Sequence, residues 1–373
     1  MTTQRLGSDN RHYGIDALRT LCMFMVVTVH VLGNGGLLLA AKPPSFRYLT
    51  VWTLESASYC LVNCYAMISG YMGVKGRYRY TSLVMLWLQV VLWNVVCTVA
   101  QAILQPGSVT VPTLIRAFYP VANEQYWYFC VYTGLFLLMP GLNIFLNKIN
   151  RRQGKALCLL IILVFTCIPA LANKDSFGMR EGYSIGWVLL MYLLGGCLSR
   201  FRFGHKLPTW LLLLLYVGSV ALSVAATTLA DLSQSENFLR LLSHKTLMGF
   251  NTPTSLVCGL CLMLIFQKYP QPPSWLRKII RLLAPVSFGV YIIHMHPFMQ
   301  DVFFGNMRYR FLIQYPAPVL AAAVILTCVV IFLVCAGLDW LRLWLFKGLK
   351  LKQRLQKLED KYIGNLWNSE NES

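Results

Sequence analysis

The stretch LLLLLYVGSVALSVAA, residues 211–226, runs for sixteen residues without a charge. Its apolar residues do not alternate with polar ones, so it reads neither as a half-buried strand nor as a strand of a membrane barrel. Extended to residues 208–230, it is long enough at about 1.5 Å per residue to cross a hydrocarbon layer of roughly 30 Å. Comparable runs recur along the chain and predict spans at 15–38, 51–73, 82–104, 126–146, 156–172, 184–199, 208–230, 246–266, 284–303 and 318–338. The expected fold is therefore an all-α integral membrane protein, a polytopic bundle of ten transmembrane helices. Composition agrees: 57% of residues are hydrophobic and 13% charged, against about 25% charged in soluble domains.

Charge orients this bundle, because Lys and Arg are retained on the cytoplasmic side. When alternate connections are assigned to alternate sides, 23 of the 33 basic residues fall on the side of the N-terminus and 9 on the other, with Arg19 inside the first helix. Both termini are expected in the cytoplasm. The same partition accounts for a formal charge of +19 without nucleic acid, for which no zinc-finger, helix-turn-helix or aromatic RNA-binding signature is present. All twelve cysteines lie in the apolar runs, where cysteine behaves as a small hydrophobe. Cys258 and Cys261 form a CxxC pair within a span, with no second pair or nearby histidine to complete a metal site.

Three regions follow: a cytoplasmic N-terminus (1–14), a transmembrane domain (15–338) and a basic cytoplasmic tail (339–373). In the tail, Leu341, Leu345, Leu351, Leu355 and Leu358 are spaced along one helical face with basic residues between them, which predicts an amphipathic interfacial helix. The first helix is too long for a signal-peptide core and lacks an A-x-A-like site, so it is expected to remain. No inverted repeat of the transporter kind is visible. Connections are too short for a separate soluble domain, which puts the active surface in the bundle.

Ionisable side chains inside a bilayer cost at least a few kcal/mol and are functional candidates by default. The first helix holds three in GIDALRTLCMFMVVTVH (14–30): Asp16, Arg19 and His30. Eleven residues make three turns, so Arg19 and His30 share a face to within roughly 20° and stand roughly 16 Å apart along the axis. Asp16, three residues before Arg19, is placed to pair with it. In the bland reading Arg19 snorkels to lipid phosphates and His30 hydrogen-bonds a neighbouring helix. In the sharper one this face lines a cavity that admits a phosphorylated cofactor and presents its reactive end to His30 as base or nucleophile.

The spacing of Arg19 and His30 resembles the arginine, ten residues, histidine motif of the membrane-bound acyltransferase-3 family, whose bacterial members O-acetylate cell-surface polysaccharides. VNCYAMISGY (62–71) is similar to the family's second-helix VDLFFVISGF pattern, with Asn63 where many members have Asp. WYFCVYTGLFLLMPGLN (127–143) and SFGVYIIHMHPF (287–298) resemble two later segments, in order. The resemblance covers residues 11–338. It implies transfer of an acyl group, usually acetyl, from cytoplasmic acyl-CoA to the hydroxyl of a surface polysaccharide or its lipid-linked glycan precursor, in a multi-pass protein of a bacterial plasma membrane. Carried over by position, Arg19 orients the donor, and His30 activates the acceptor or takes the acyl group. The donor substrate is acetyl-CoA, and no tightly bound cofactor or metal is expected.

The remaining candidates are substrate-binding: Asp16; Ser69, with Glu55 fourteen residues earlier in the same predicted helix; Glu124, Tyr126 and Trp127, where a connection enters the fourth span; and His294. Ser69 fits close packing as well as substrate contact. Tyr126 and Trp127 fit an interfacial belt as well as a sugar platform. His294 and His296 cannot share a helical face, and the family pattern falls on His294. Membrane lipids are expected partners, and a homo-oligomer or a glycan-synthesis complex is left open. The rival function is a transporter or flippase of a glycan or lipid, in which the same residues would form a path.

Overall fold

The computed structural model describes residues 11–172, 174–233 and 249–364. Arg5, Arg240, Lys245, the start of the predicted span 246–266 and the end of the tail lie outside the described residues. Among the described residues all regular structure is helical.

In chain order the main helices are α1 (Tyr13–Gly33), α2 (Phe46–Ser58), α3 (Leu61–Gly73), α4 (Tyr80–Leu104), α5 (Trp127–Lys148), α6 (Arg151–Ala172) and α7 (Ile185–Phe201). They are followed by α8 (Thr209–Leu232), α9 (Pro253–Phe266), α10 (Ser274–Leu283), α11 (Ser287–His294), α12 (Pro297–Phe304), α13 (Ala317–Gly348) and α14 (Leu351–Tyr362). Among the described residues six are long and apolar enough to cross a membrane: α1, α4, α5, α6, α8 and α13. The apolar helices α7 and α9 are shorter.

Two stretches expected as single spans are broken. Residues 51–73 form α2 and α3, separated at Tyr59 and Cys60 where neither glycine nor proline stands. Glu55 and Ser69 therefore belong to different helices, and their expected place on one helix is corrected. Residues 284–303 divide into α11 and α12. Pro297 begins α12, where its missing N–H costs nothing, and it disfavours helix in the residue before it. That residue, His296, is extended and accepts at Nδ1 from the Phe298 N–H.

Connections gather in two sets. At one end the Tyr13 N–H donates to the Pro270 carbonyl, His12 meets the Tyr71 ring, the Arg151 guanidinium donates to the Phe201 carbonyl and Arg79 pairs with Asp360 at 2.8 Å. At the other, the Tyr309 N–H donates to the Gly35 carbonyl, Arg47 to the carbonyls of Gln314 and Tyr315, and the Phe250 N–H to the Glu181 carbonyl.

Glycine sets the closest helix approach, between α3 and α7. A Cβ on Gly70 would stand 1.9 Å from the Tyr192 carbonyl oxygen, and one on Gly195 would stand 2.0 Å from that of Met67. Here small residues let two backbones touch. Beside Gly70, the Ser69 hydroxyl donates back to the Tyr65 carbonyl at 3.0 Å.

The C-terminal region departs from expectation. α13 continues to Gly348, and Lys350, at φ +52°, separates it from α14. Leu341 and Leu345 thus lie on one helix and Leu351, Leu355 and Leu358 on another, so the single leucine face is corrected. Asp339 and Arg342 are buried against each other, which makes the end of α13 part of the core. α14 is fastened to the bundle: the Glu359 carboxylate accepts from the N–H groups of Tyr80 (2.8 Å) and Thr81 (3.0 Å) and from the Thr81 hydroxyl (2.5 Å). It caps the otherwise unsatisfied first turn of α4.

Candidate active site

A cavity of about 170 Å³ opens beside the C-terminal half of α1. Met23, Val26 and His30 of α1 form one wall, Glu55, Tyr59 and Tyr65 of the broken pair α2 and α3 another, and Trp127, Tyr128, Tyr183, Phe250 and Tyr291 complete it. His30, expected to face a cavity, does so.

His30 does not stand alone. Its Nδ1 is 2.9 Å from Nε2 of His294, at the end of α11. The Nδ1 of His294 lies 2.5 Å from the Val290 carbonyl. A carbonyl can only accept, so this Nδ1 carries the proton and the His294 Nε2 is left with an unshared pair. The His30 Nδ1–H must then donate to it, which leaves the His30 Nε2 as the basic nitrogen. This tautomer is assigned from the acceptor chain. The two imidazoles are placed relative to each other as base and orienting group are in a hydrolase triad, with an imidazole in the orienting place. His296, two residues on, turns away and meets the Thr98 hydroxyl at 3.2 Å.

Three turns earlier on α1, Arg19 Nη1 donates to Asp16 at 2.7 Å, and the second oxygen of Asp16 accepts from Arg11 Nε at 2.5 Å. One carboxylate shared by two guanidinium groups leaves a net positive end, and the Arg19 side chain keeps 36% of its surface exposed. Tyr65 spans the interval: its hydroxyl donates to the Arg19 carbonyl at 2.9 Å, while its ring lines the cavity.

Asn63 organises the aromatic side. Its amide donates to the Phe250 carbonyl at 2.7 Å and accepts from the Trp187 indole at 2.8 Å. An amide supplies both the donor and the acceptor used here, whereas an ionised aspartate would leave the Phe250 carbonyl without this bond. Trp127 lies near Tyr183 and Phe250, with ring centroids at 4.7 and 6.2 Å. The Tyr128 hydroxyl is buried without a hydrogen-bond partner among the described residues.

The family model described as an acyltransferase domain, that of the acyltransferase-3 family, matches residues 12–337. The chain belongs to this family. No curated protein and no solved structure matches it. The protein is thus a membrane acyltransferase, and the stretch matched contains every residue of the cavity described above.

Of the residues singled out from sequence, this acyltransferase brings His30, His294 and Trp127 to the cavity region, with Tyr126 buried behind, edge-on to Tyr291 at 6.0 Å. Asp16 and Arg19 lie lower on α1. Glu124 is exposed outside the cavity, at φ +51° in the connection before α5. Ser69 spends its hydroxyl on its own helix. Sequence reading gave no role in the site to Glu55, Tyr59, Tyr65, Tyr128, Tyr183, Phe250 or Tyr291. Glu55 carried the signal of an ionisable group inside a predicted span, and for the tyrosines the signal was their density at the starts and ends of spans, where an interfacial belt explains them equally well.

Proposed function

We propose that this acyltransferase is a bacterial plasma-membrane O-acetyltransferase that moves acetyl from cytoplasmic acetyl-CoA to a hydroxyl of a cell-surface glycan or its lipid-linked precursor. The supporting observation is the oriented base: His30, held by His294 on the cavity wall, stands roughly 16 Å above Arg19 on one helix face. An extended pantetheine arm is of similar length. In this reading Arg19 and the basic rim hold the nucleotide phosphates while the thioester reaches His30. The acceptor hydroxyl gives its proton to the His30 Nε2, its oxygen attacks the thioester carbonyl, and the C–S bond breaks. The proton then passes to the departing CoA sulfur, so the base is restored.

Acetyl-CoA consumption by the purified protein tests the reading. A transporter or flippase would carry its cargo with no release of CoA, and that result would replace this proposal with the rival one. Arg19→Ala is expected to raise the KM for acetyl-CoA by about tenfold or more, the scale of a lost charged hydrogen bond. Arg19→Lys should recover only part, because lysine lacks the planar fork. An unchanged KM in the alanine variant would remove Arg19 from the donor site.

The proposed topology has ten crossings with both termini in the cytoplasm, in keeping with the basic residues at the end that holds Arg11, Arg79, Arg151 and Lys268. Reporters that act only outside the membrane are expected to be silent when fused after Leu338 or after the last residue, and active in the 305–316 connection. Strong signal after Leu338 would refute the arrangement.

A further inference from the structure

We infer that Glu55 and the near-parallel rings beside it form the subsite that selects the acceptor, taking a single pyranose ring by its face and two of its hydroxyls. The inference rests on the O-acetyltransferase reading for the meaning of the bound ring as an acceptor. Its physical basis is separate.

Glu55 is 5% exposed, lines the cavity and has no hydrogen-bond partner for its Oε2 among the described residues. A carboxyl oxygen buried among aromatic side chains is costly unless a donor comes to it. None of the described residues supplies one, so the oxygen is open to a donor from outside the protein. Water alone would satisfy the oxygen, but it gives no reason for the surface that surrounds it. Tyr59 stacks on Phe250 at 4.7 Å and 20°, and Trp127 lies near-parallel to Phe250 at 18°.

The outer face of this stack can meet the C–H face of a sugar. Tyr183 stands at 52° to Trp127 and 51° to Phe250, as in a cage for a quaternary cation, but a quaternary ammonium head brings no donor to the Glu55 Oε2, whereas a sugar hydroxyl does. A carboxyl group beside such rings offers hydrogen bonds to neighbouring hydroxyls. The cavity, about 170 Å³, has room for one ring. Asn63 holds Phe250 in this wall through its carbonyl, and Glu181 receives the Phe250 N–H at 2.8 Å. The rings of the platform come from the end of the bundle that the proposed topology places outside, on the side from which a surface glycan would approach.

The test uses the full chain in lipid nanodiscs prepared without glycoside detergents, which would themselves occupy the subsite. Methyl pyranosides of the gluco, galacto, manno and rhamno series, together with choline, are titrated in the absence of acetyl-CoA, with tryptophan fluorescence and calorimetry as readouts. At least one pyranoside is expected to bind the wild-type protein and choline is not. Glu55→Gln, which replaces one acceptor oxygen by a donor group, should weaken pyranoside binding by about tenfold. Trp127→Ala should weaken it at least as much. Binding of choline alone, or of no pyranoside, overturns the inference, as does unchanged pyranoside affinity in a folded Glu55→Gln protein. Should the pyranoside bind through Glu55 while acetyl-CoA is never consumed, the subsite stands and the acetyl-transfer reading fails.

Discussion

His30→Gln is expected to insert and fold normally, bind acetyl-CoA, and lose acyl transfer by a factor of about 10² to 10⁴, the range supplied by a positioned general base. Glutamine keeps a hydrogen-bonding group of similar reach. Its amide can still donate to the His294 Nε2, so the contact at 2.9 Å between α1 and α11 survives. It cannot take a proton from an acceptor hydroxyl at neutral pH. The variant therefore separates the two readings of an intramembrane histidine, as an interhelical hydrogen bond or as the base. His294 offers the complementary test as a positioning residue. His294→Phe removes the acceptor that fixes the His30 tautomer, and it should lower kcat with little change in the KM for acetyl-CoA, since His294 does not reach the donor phosphates. Near-normal acetylation by His30→Gln would reduce His30 to a packing residue and overturn the mechanism.

What made His30 and Arg19 legible was the helix period itself. An uninterrupted α1 converts an eleven-residue spacing into a shared face, and nothing distant is needed to read it. The oriented base required more. His294 is 264 residues away in sequence, and only the resemblance to a family pattern drew attention to it. Glu55 was noted beside Ser69 but not placed at the site, for a local reason: residues 51–73 carry no glycine or proline at Tyr59 and Cys60, so the run reads as one helix. The break that carries Glu55, Tyr59 and Tyr65 to the cavity is imposed by tertiary packing. At the C-terminus the error came from charge. Asp339 and Arg342 each count against a membrane span when read singly, although the pair is neutral and buried, and so the end of the last core helix was read as tail. Broken helices and buried ion pairs share this property: both are stabilised by partners from elsewhere in the chain, which local composition does not record.

That buried pair sets the second large expectation, on stability. Asp339 is fully buried at the meeting of α13, α4 and α11 and is satisfied on all sides. It accepts from the Trp93 indole at 2.6 Å, from the Gln89 amide at 3.1 and 3.2 Å, and from two nitrogens of Arg342. Arg342 also donates to the Pro285 carbonyl at 3.4 Å, which reaches the turn before α11. Gly289 of α11 packs directly on the carboxylate, since a Cβ there would stand 2.0 Å from the Asp339 Cγ. Asp339→Ala leaves a buried guanidinium, an indole N–H and an amide without their acceptor, and removal of one member of such a pair costs about 3 to 5 kcal/mol. The expected result is a large fall in the unfolding midpoint and in the yield of folded protein. Arg342→Met should cost a similar amount, because it strands the carboxylate. If the destabilisation arises from the stranded charge, the double variant Asp339→Leu with Arg342→Met should be more stable than either single variant, because two apolar groups leave no uncompensated charge. Additive losses in the double variant would instead mean that the hydrogen bonds to Gln89 and Trp93, and not the ion pair, hold these three helices together.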